Sequence, residues 1–396
     1  MEPGRGQKPR GRRFTLCYHA YEDLSSHGGG NRVHIAGVEV SDFRNFPTLS
    51  FTPASSLNIL TGPNAQGKTN LLEGLAVLLI GRSFRGARAA ELPRWDAAQP
   101  AVLTGELWRG EGARGLRRVI QQREDGIWAV TGDGCPWARV IPFGWPDMAI
   151  LHGAPQARRD FIDGFAGKLY PAHLTAWRRY RQVLGRRNHL LQGGLDPAEL
   201  RTRLEPWNEQ LVRVGGELLG RRRLAVGALT RELERLYPEL AGRGEVGLTY
   251  RCALGDDSTE DGFRRALERR FGEEARRGMT LVGPHRDDLV IELDARDLRT
   301  FGSRGQQRLM ALALRLAERG PVAEAVGSPP ILLLDDALSE LDPRVRARVL
   351  AHVVKAGQVF LTTADAELGE SAAATWWDVR GGRVSERGRA AVRGAA

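Results

Sequence analysis

The segment Gly62-Pro63-Asn64-Ala65-Gln66-Gly67-Lys68-Thr69 constrains this chain more than any other, because it fits the pattern G-x-x-x-x-G-K-[ST]. The apolar run Leu57 to Leu60 before it predicts a strand, and Asn70 to Ile80 after it predicts an apolar helix. Strand, glycine loop and helix in that order aim backbone amides and the positive end of a helix at one point, which is how backbone holds phosphate. Gly62, Pro63, Asn64, Ala65, Gln66 and Gly67 are therefore the expected cradle of a nucleotide. Lys68 is expected to reach the β and γ oxygens of ATP, and the Thr69 hydroxyl to hold Mg2+.

A site of this kind needs an acid at the end of a second buried strand. Ile331-Leu332-Leu333-Leu334-Asp335-Asp336 supplies two. Asp335 is the expected magnesium partner, and Asp336 is placed to orient or deprotonate the attacking water. A third element, Phe301-Gly302-Ser303-Arg304-Gly305-Gln306-Gln307-Arg308, precedes an apolar stretch from Leu309 to Glu318. Ser303 and Gln306 stand at capping-box spacing, so one reading is simply a well-started helix. The functional reading adds that Ser303, Gly305 and Gln306 present amides and a positive dipole end, able to clamp the γ-phosphate of a nucleotide held by another subunit.

The remaining texture divides the chain. Residues 1–32 are rich in Gly, Arg and Ser and read as a disordered leader, with a basic arm for DNA as the sharper alternative. Residues 33–150 form one ATPase lobe, opening with the alternating strand Val33 to Val40 and carrying an antiparallel β subdomain from about Ala101 to Val140. Residues 151–280 are helical, with Pro171, Pro197, Pro206 and Pro238 expected to interrupt the helices every few turns and to exclude a long coiled coil. Residues 281–384 return to α/β texture with strands at Ile331 to Leu334 and Val359 to Leu361, and 385–396 read as a flexible tail. The fold class is α/β: a P-loop ATPase head with a mixed or parallel sheet core, an antiparallel β subdomain and an inserted α-helical arm.

Lys and Arg total 58 against 48 Asp and Glu, a formal charge of +10, which suits an anionic partner such as nucleic acid. Between Leu151 and Leu190 the basic residues Arg158, Arg159, Lys168, Arg178, Arg179, Arg181, Arg186 and Arg187 face only Asp160 and Asp163, with Tyr170, Trp177 and Tyr180 interleaved. Arg178, Arg179, Arg181, Arg186 and Arg187 are the candidate DNA contacts; the alternative is a solvated arginine face with its aromatics turned to a core. His285, Asp287 and Asp288 are read as a charged structural loop after the Gly283-Pro284 turn rather than a metal centre. Cys17, Cys135 and Cys252 lack the short spacings of zinc or redox sites and are expected to be reduced thiols. No stretch approaches the roughly 18 to 20 apolar residues of a membrane span, and no apolar signal core opens the chain, so a cytoplasmic protein is expected.

The order phosphate loop, Ser-x-Gly-Gln, Leu-Leu-Leu-Asp-Asp and Ser339-Glu340-Leu341-Asp342 resembles the ABC-type ATPase head shared with SMC proteins. More narrowly, Asp42-Phe43-Arg44-Asn45-Phe46, the run from Gly153 to Asp163, Arg187-Asn188-His189-Leu190-Leu191 and Gly283-Pro284-His285-Arg286-Asp287-Asp288 resemble the RecF family of bacterial recombination-mediator ATPases. The resemblance implies an ATP-dependent homodimer in which Ser303, Gly305 and Gln306 of one subunit close over the nucleotide of the other. It also implies Asp342 at the dimer seam, Arg44 in contact with the nucleotide, and gapped or junction DNA as ligand. The implied partners are RecR and, indirectly, RecO and RecA.

The chain departs from the ABC pattern at Arg304 for glycine, at Asp336 for glutamate, at Thr362-Thr363 where a histidine commonly follows, and at Phe143 to Asp147, which lacks glutamine. These departures point to slow hydrolysis, as in a switch. The competing readings are an SMC-like structural head that tethers DNA and the ATP-binding subunit of a transporter. The missing long heptads argue against the first, and the missing histidine and glutamine loops against the second.

Overall fold

Three short strands that are buried at every position run through the centre of the molecule, and their neighbours on both faces explain why. The computed structural model describes residues 32–255, 257–365 and 374–387. The leader up to residue 31, with Cys17, and the tail from residue 388 lie outside the described residues. Among the described residues, no helix is long and apolar enough to cross a membrane.

The chain opens with β1 (Val33–Phe43), β2 (Phe46–Phe51), β3 (Leu57–Thr61) and α1 (Lys68–Ile80). Then come β4 (Ala101–Arg109), β5 (Gly112–Gln122), β6 (Trp128–Gly132) and β7 (Val140–Phe143). The helical part comprises α2 (Ala149–His152), α3 (Pro155–Leu169), α4 (Pro171–Leu191), α5 (Pro197–Ala241) and, after β8 (Val246–Arg251), α6 (Glu260–Arg277). The next stretch holds β9 (Asp288–Leu293), β10 (Arg296–Asp297), α7 (Leu298–Phe301), α8 (Arg304–Ala317) and α9 (Arg319–Val326). The chain closes through β11 (Ile331–Leu334), α10 (Pro343–Val353), β12 (Val359–Thr362), β13 (Ala374–Arg380) and β14 (Arg383–Glu386).

Strands β13, β3, β12, β11 and β7 lie side by side in parallel, with β14 antiparallel at one edge. Successive residues serve opposite cores. Leu332 and Leu334 pack with α3, α5, α8 and α10, whereas Ile331 and Leu333 pack with α1 and the second sheet. A strand buried on both faces has no polar face to show, hence the dominance of apolar residues in these strands. Helix α1, enclosed between the two sheets, is buried from Leu71 to Leu79 for the same reason.

The second sheet is antiparallel, in the order β2-β1-β4-β5-β6. The expected alternation in β1 changes phase partway, because the register with β4 shifts between Ile35 and Gly37. The bulge lets Val33 and Ile35 share a buried face with Val38 and Val40.

Three sequence expectations need correction. Pro171 and Pro197 open helices, where a missing N–H costs nothing, but Pro206 and Pro238 lie inside the 45-residue α5 without ending it. At about 1.5 Å per residue this helix is about 70 Å long. It is nonetheless half of a hairpin: Arg187 of α4 reaches Asn208, and Tyr180 packs over Gly215 further along α5. The helical segment also contains a strand, β8, which pairs with β9, and the expected tail from 385 begins within β14.

Where the arm meets the head, charges are buried in pairs. Asp163 accepts from Arg222 Nε at 2.7 Å and Nη2 at 2.8 Å, and its Oδ1 lies 2.9 Å from His173 Nε2. Arg222 continues to Pro284 O and Asp287, which also accepts from Tyr250 and from the Ala253 amide. Arg158 grips Asp288 through two bonds. His285 Nε2 lies 3.1 Å from the Thr280 carbonyl, which only accepts, so its Nδ1 accepts from Tyr180 Oη at 2.7 Å. Burial pushes His285 down to about 4, so it stays neutral. The side chains of His285, Asp287 and Asp288 are thus engaged by protein.

Further out, Arg187 is buried against Glu274 at 2.7 Å, and Glu274 also accepts from the Leu281 amide. Glu274→Ala leaves a buried guanidinium without its carboxylate and is expected to lower unfolding free energy by about 3–5 kcal/mol. Urea denaturation followed by circular dichroism checks this, with Arg187→Met/Glu274→Leu recovering most of the loss.

Candidate nucleotide site

The loop from Gly62 to Gly67 leaves β3 at its carboxyl end, where ligands of open parallel sheets bind. Gly62 and Gly67 have φ of 143° and 110°, which side chains rarely adopt. A Cβ on Gly62 would come within 2.3 Å of the Val379 carbonyl oxygen, and one on Gly67 within 2.5 Å of Asn45 Nδ2. Asn45 donates to the Gln66 carbonyl at 3.1 Å and accepts from Asn70, while Gln66 Oε1 accepts from the Gly381 amide at 2.8 Å. The β1–β2 and β13–β14 turns therefore hold the loop from two sides. Among the described residues, no backbone carbonyl accepts from the amides of Asn64, Ala65, Gln66 or Gly67.

Lys68 Nζ bends back over the loop to the carbonyls of Gly62 at 2.5 Å and Pro63 at 2.9 Å. Burial lowers its pKa, opposed by the nearby Asp336 and Asp335. Thr69 Oγ1 donates to Asp335 Oδ1 at 2.8 Å, and Thr362 Oγ1 donates to the same oxygen at 2.8 Å. The Thr362 oxygen also accepts the Asp336 amide at 2.8 Å. Thr362, noted in the sequence only for the histidine that does not follow it, thus bridges both acids. Gly144, in the segment without glutamine, lies against Asp335; a Cβ on it would sit 3.7 Å from Asp335 Cβ.

Burial raises the Asp335 carboxyl above the ordinary carboxylate range, against the lowering effect of the Thr362 and Thr69 hydroxyls. Thr69 and Asp335 fit a divalent cation: a hydroxyl oxygen and a carboxylate converge beside a loop that gathers amides.

The other expected residues divide. Ser303 and Gln306 form the capping box, Gln306 N to Ser303 Oγ at 3.3 Å and Ser303 N to Gln306 Oε1 at 2.9 Å, so their bonds close on each other. Both are exposed, and Gly305 beside them is partly so. Arg44 donates to both oxygens of the buried Glu73 at 2.8 and 2.9 Å and to the Glu91 carbonyl at 2.6 Å. It braces α1 from outside, and its donors are directed at protein rather than at the loop. Of the candidate DNA contacts, Arg178, Arg179, Arg181 and Arg186 are exposed on α4, whereas Arg187 is buried in its pair with Glu274 and leaves the patch. Tyr180 is buried, and Trp177, partly buried, stacks under Arg181 at 4.9 Å.

No family model matches the chain. A DNA replication and repair protein RecF of Anaeromyxobacter sp. (strain Fw109-5) is 36% identical over 374 residues, covering 89% of this chain and 99% of the relative. That of Halalkalibacterium halodurans is 34% identical over 349 residues, covering 85% and 94%. The chain belongs to the RecF family. A solved structure of the recombination mediator protein RecF-ATP matches it with a TM-score of 0.79 at 24% identity, covering 92% of this chain and all of the other. A Pyrococcus furiosus Smc head domain matches with a TM-score of 0.52 at 16% identity, covering 90% of this chain and 96% of that one. These two likenesses establish the fold, which is that of RecF and of the Smc head domain.

Ionised Asp335 is costly in the folded protein. Its folded pKa lies above its unfolded one, so stability falls as pH rises from the ordinary carboxylate range through the raised value and then levels off. Asp335→Asn is expected to remove that dependence and raise the melting temperature of nucleotide-free protein at pH 8. Thermal scans across pH check this.

Proposed function

We propose that this chain is an ATP-driven switch of DNA replication and recombinational repair, in which ATP joins two copies head to tail and slow hydrolysis releases them. The observation that carries this reading is the unequal state of the two motifs. Residues Gly62 to Thr69, with Asp335, form a constellation held within one chain, whereas Ser303 and Gln306 are exposed and their side chains bond to each other's amides. Such a helix start offers its amides and dipole to an anion from elsewhere, and a second copy carries one at its phosphate loop.

In this mechanism Lys68 leaves the Gly62 and Pro63 carbonyls for the β and γ oxygens of the substrate. Thr69 and Asp335 would hold Mg2+, which would supply charge neutralisation for the phosphates. Asp336 orients the attacking water. Its side chain is one methylene shorter than the glutamate common in ABC ATPases, which supports a weak ATPase. Ser303, Gly305 and Gln306 of the partner complete the site, and Arg304 adds positive charge there.

DNA, single- and double-stranded at a gap or junction, is assigned to the exposed arginines of α4, with RecR as direct partner and RecO and RecA beyond it, in the cytoplasm. The alternative of an SMC-like tether has less support, because α5 folds back on α4 as a hairpin.

Lys68→Ala is expected to lose ATP-dependent dimerisation in light scattering and ATP-dependent DNA affinity together. Dimerisation and affinity that ignore nucleotide overturn the switch. Replacing Arg178, Arg179 and Arg181 with Glu is expected to weaken DNA binding and to reduce the salt slope by roughly 0.9 for each phosphate that is no longer neutralised. Unchanged affinity and slope in salt titrations remove this patch from the interface.

A further inference from the structure

Asp336 has a left-handed backbone, φ 50°, which costs a non-glycine residue about 1–2 kcal/mol and persists only where the surroundings enforce it. Two side chains from different elements enforce it here. Thr362 of β12 takes the Asp336 amide. On the other side Arg308 of α8 donates through Nη2 to the Asp336 carbonyl and to Ser339 Oγ, and Ser339 Oγ donates to the same carbonyl at 3.1 Å. Nη2 also lies 3.6 Å from the Asp336 carboxylate. Arg308 is 5% exposed, and its Nε has no hydrogen-bond partner. A buried guanidinium carrying an unsatisfied N–H is not held by optimal bonding of its own; its geometry is set by the groups that Nη2 grips. One turn earlier on α8, Gly305 lies beside the Glu340 carbonyl, at 3.9 Å from where a Cβ would stand. The first turns of α8 therefore support the whole segment from Asp336 to Glu340.

We infer that Arg308 is a positioning residue for hydrolysis: it fixes the peptide of Asp336 in its own chain while the start of the same helix serves the partner's nucleotide. This rests on the head-to-tail reading above. Helix α8 is then a lever with two ends. Ser303 to Gln306 take up the γ-phosphate across the interface, and Arg308 passes any shift of the helix to the acid that acts on the chain's own nucleotide.

Two experiments test this. Arg308→Met is expected to lower kcat about 100-fold, the size of effect typical of a misplaced general base, with KM, affinity for a fluorescent ATP analogue and ATP-induced dimerisation within about twofold of wild type. Arg308→Lys keeps the charge but reaches fewer acceptors, and is expected to recover about tenfold of that loss. It carries the same comparison if Arg308→Met does not fold. An unchanged kcat, or a loss of affinity equal to the loss of kcat, overturns the proposal.

The second experiment mixes variants in equal amounts. Ser303→Arg acts across the interface, so mixing it with Lys68→Ala restores about a quarter of the wild-type rate, from the one competent site in each mixed dimer. Arg308→Met acts within its own chain, so mixing it with Lys68→Ala restores nothing. Rescue in both mixtures overturns the assignment of Arg308 to its own site. No rescue with Ser303→Arg overturns the shared-site reading instead, and the split between kcat and KM in Arg308→Met alone still decides the role of Arg308.

Discussion

Two hydroxyls donate to one oxygen of Asp335, Thr69 from the start of α1 and Thr362 from the end of β12, each at 2.8 Å. These bonds join the phosphate loop, the acid-bearing strand and the strand between β11 and β3 at their carboxyl ends. The strand order makes this possible. Residues far apart in the chain become neighbours because β12 lies between β3 and β11: Thr362 ends β12, Asp335 follows β11, and Thr69 opens α1 after the loop that leaves β3. Burial raises the carboxyl of Asp335, so the group best placed to receive a cation is also one that the fold bears at a cost. A binding site often stores destabilisation that its ligand relieves.

The arm is attached to this head by charge as much as by apolar packing. Asp163, Arg222, Asp287 and Tyr250 form one buried cluster, and Arg158 with Asp288 another. A third runs from Asp147 through Arg315 and Glu318 to Lys168. Its Asp147 also accepts the amide of Gly144, which lies against Asp335. Helix α8 carries Arg308 towards one end and Arg315 towards the other, so the Ser303 turn, Asp336 and the arm share one rigid element. Buried ion pairs of this kind add little net stability over apolar packing, but they tolerate few alternative arrangements. That favours transmission of movement over absorption of it.

The family marks in the sequence acquire a physical meaning here. Asp163, at the end of the Gly153 to Asp163 run, Arg187 and the Gly283 to Asp288 segment do not line the nucleotide site. They hold the arm to the head and the arm's own helices together. Asn45, in the Asp42 to Phe46 segment, holds the phosphate loop, while Arg44 braces α1 through Glu73. The segments that carry the RecF resemblance in large part fix where the phosphate loop and the arm sit.

Local pattern was enough for much of this. The phosphate loop between a strand and a helix, the capping box at Ser303, the strand Ile331 to Leu334 with its two acids and the antiparallel region were all legible, because each depends on neighbours within a few residues. What only the tertiary structure decided depends on partners distant in sequence. Arg187 looked like one more arginine of a basic run until Glu274 was placed against it, and Pro206 looked like a helix break until packing along α5 outweighed one missing hydrogen bond. Thr362 and Arg308 had no local signal at all. Their roles come from the order of parallel strands and from the placement of α8 beside β11, and the carbonyl, carboxylate and amide they serve are brought to them by the fold alone.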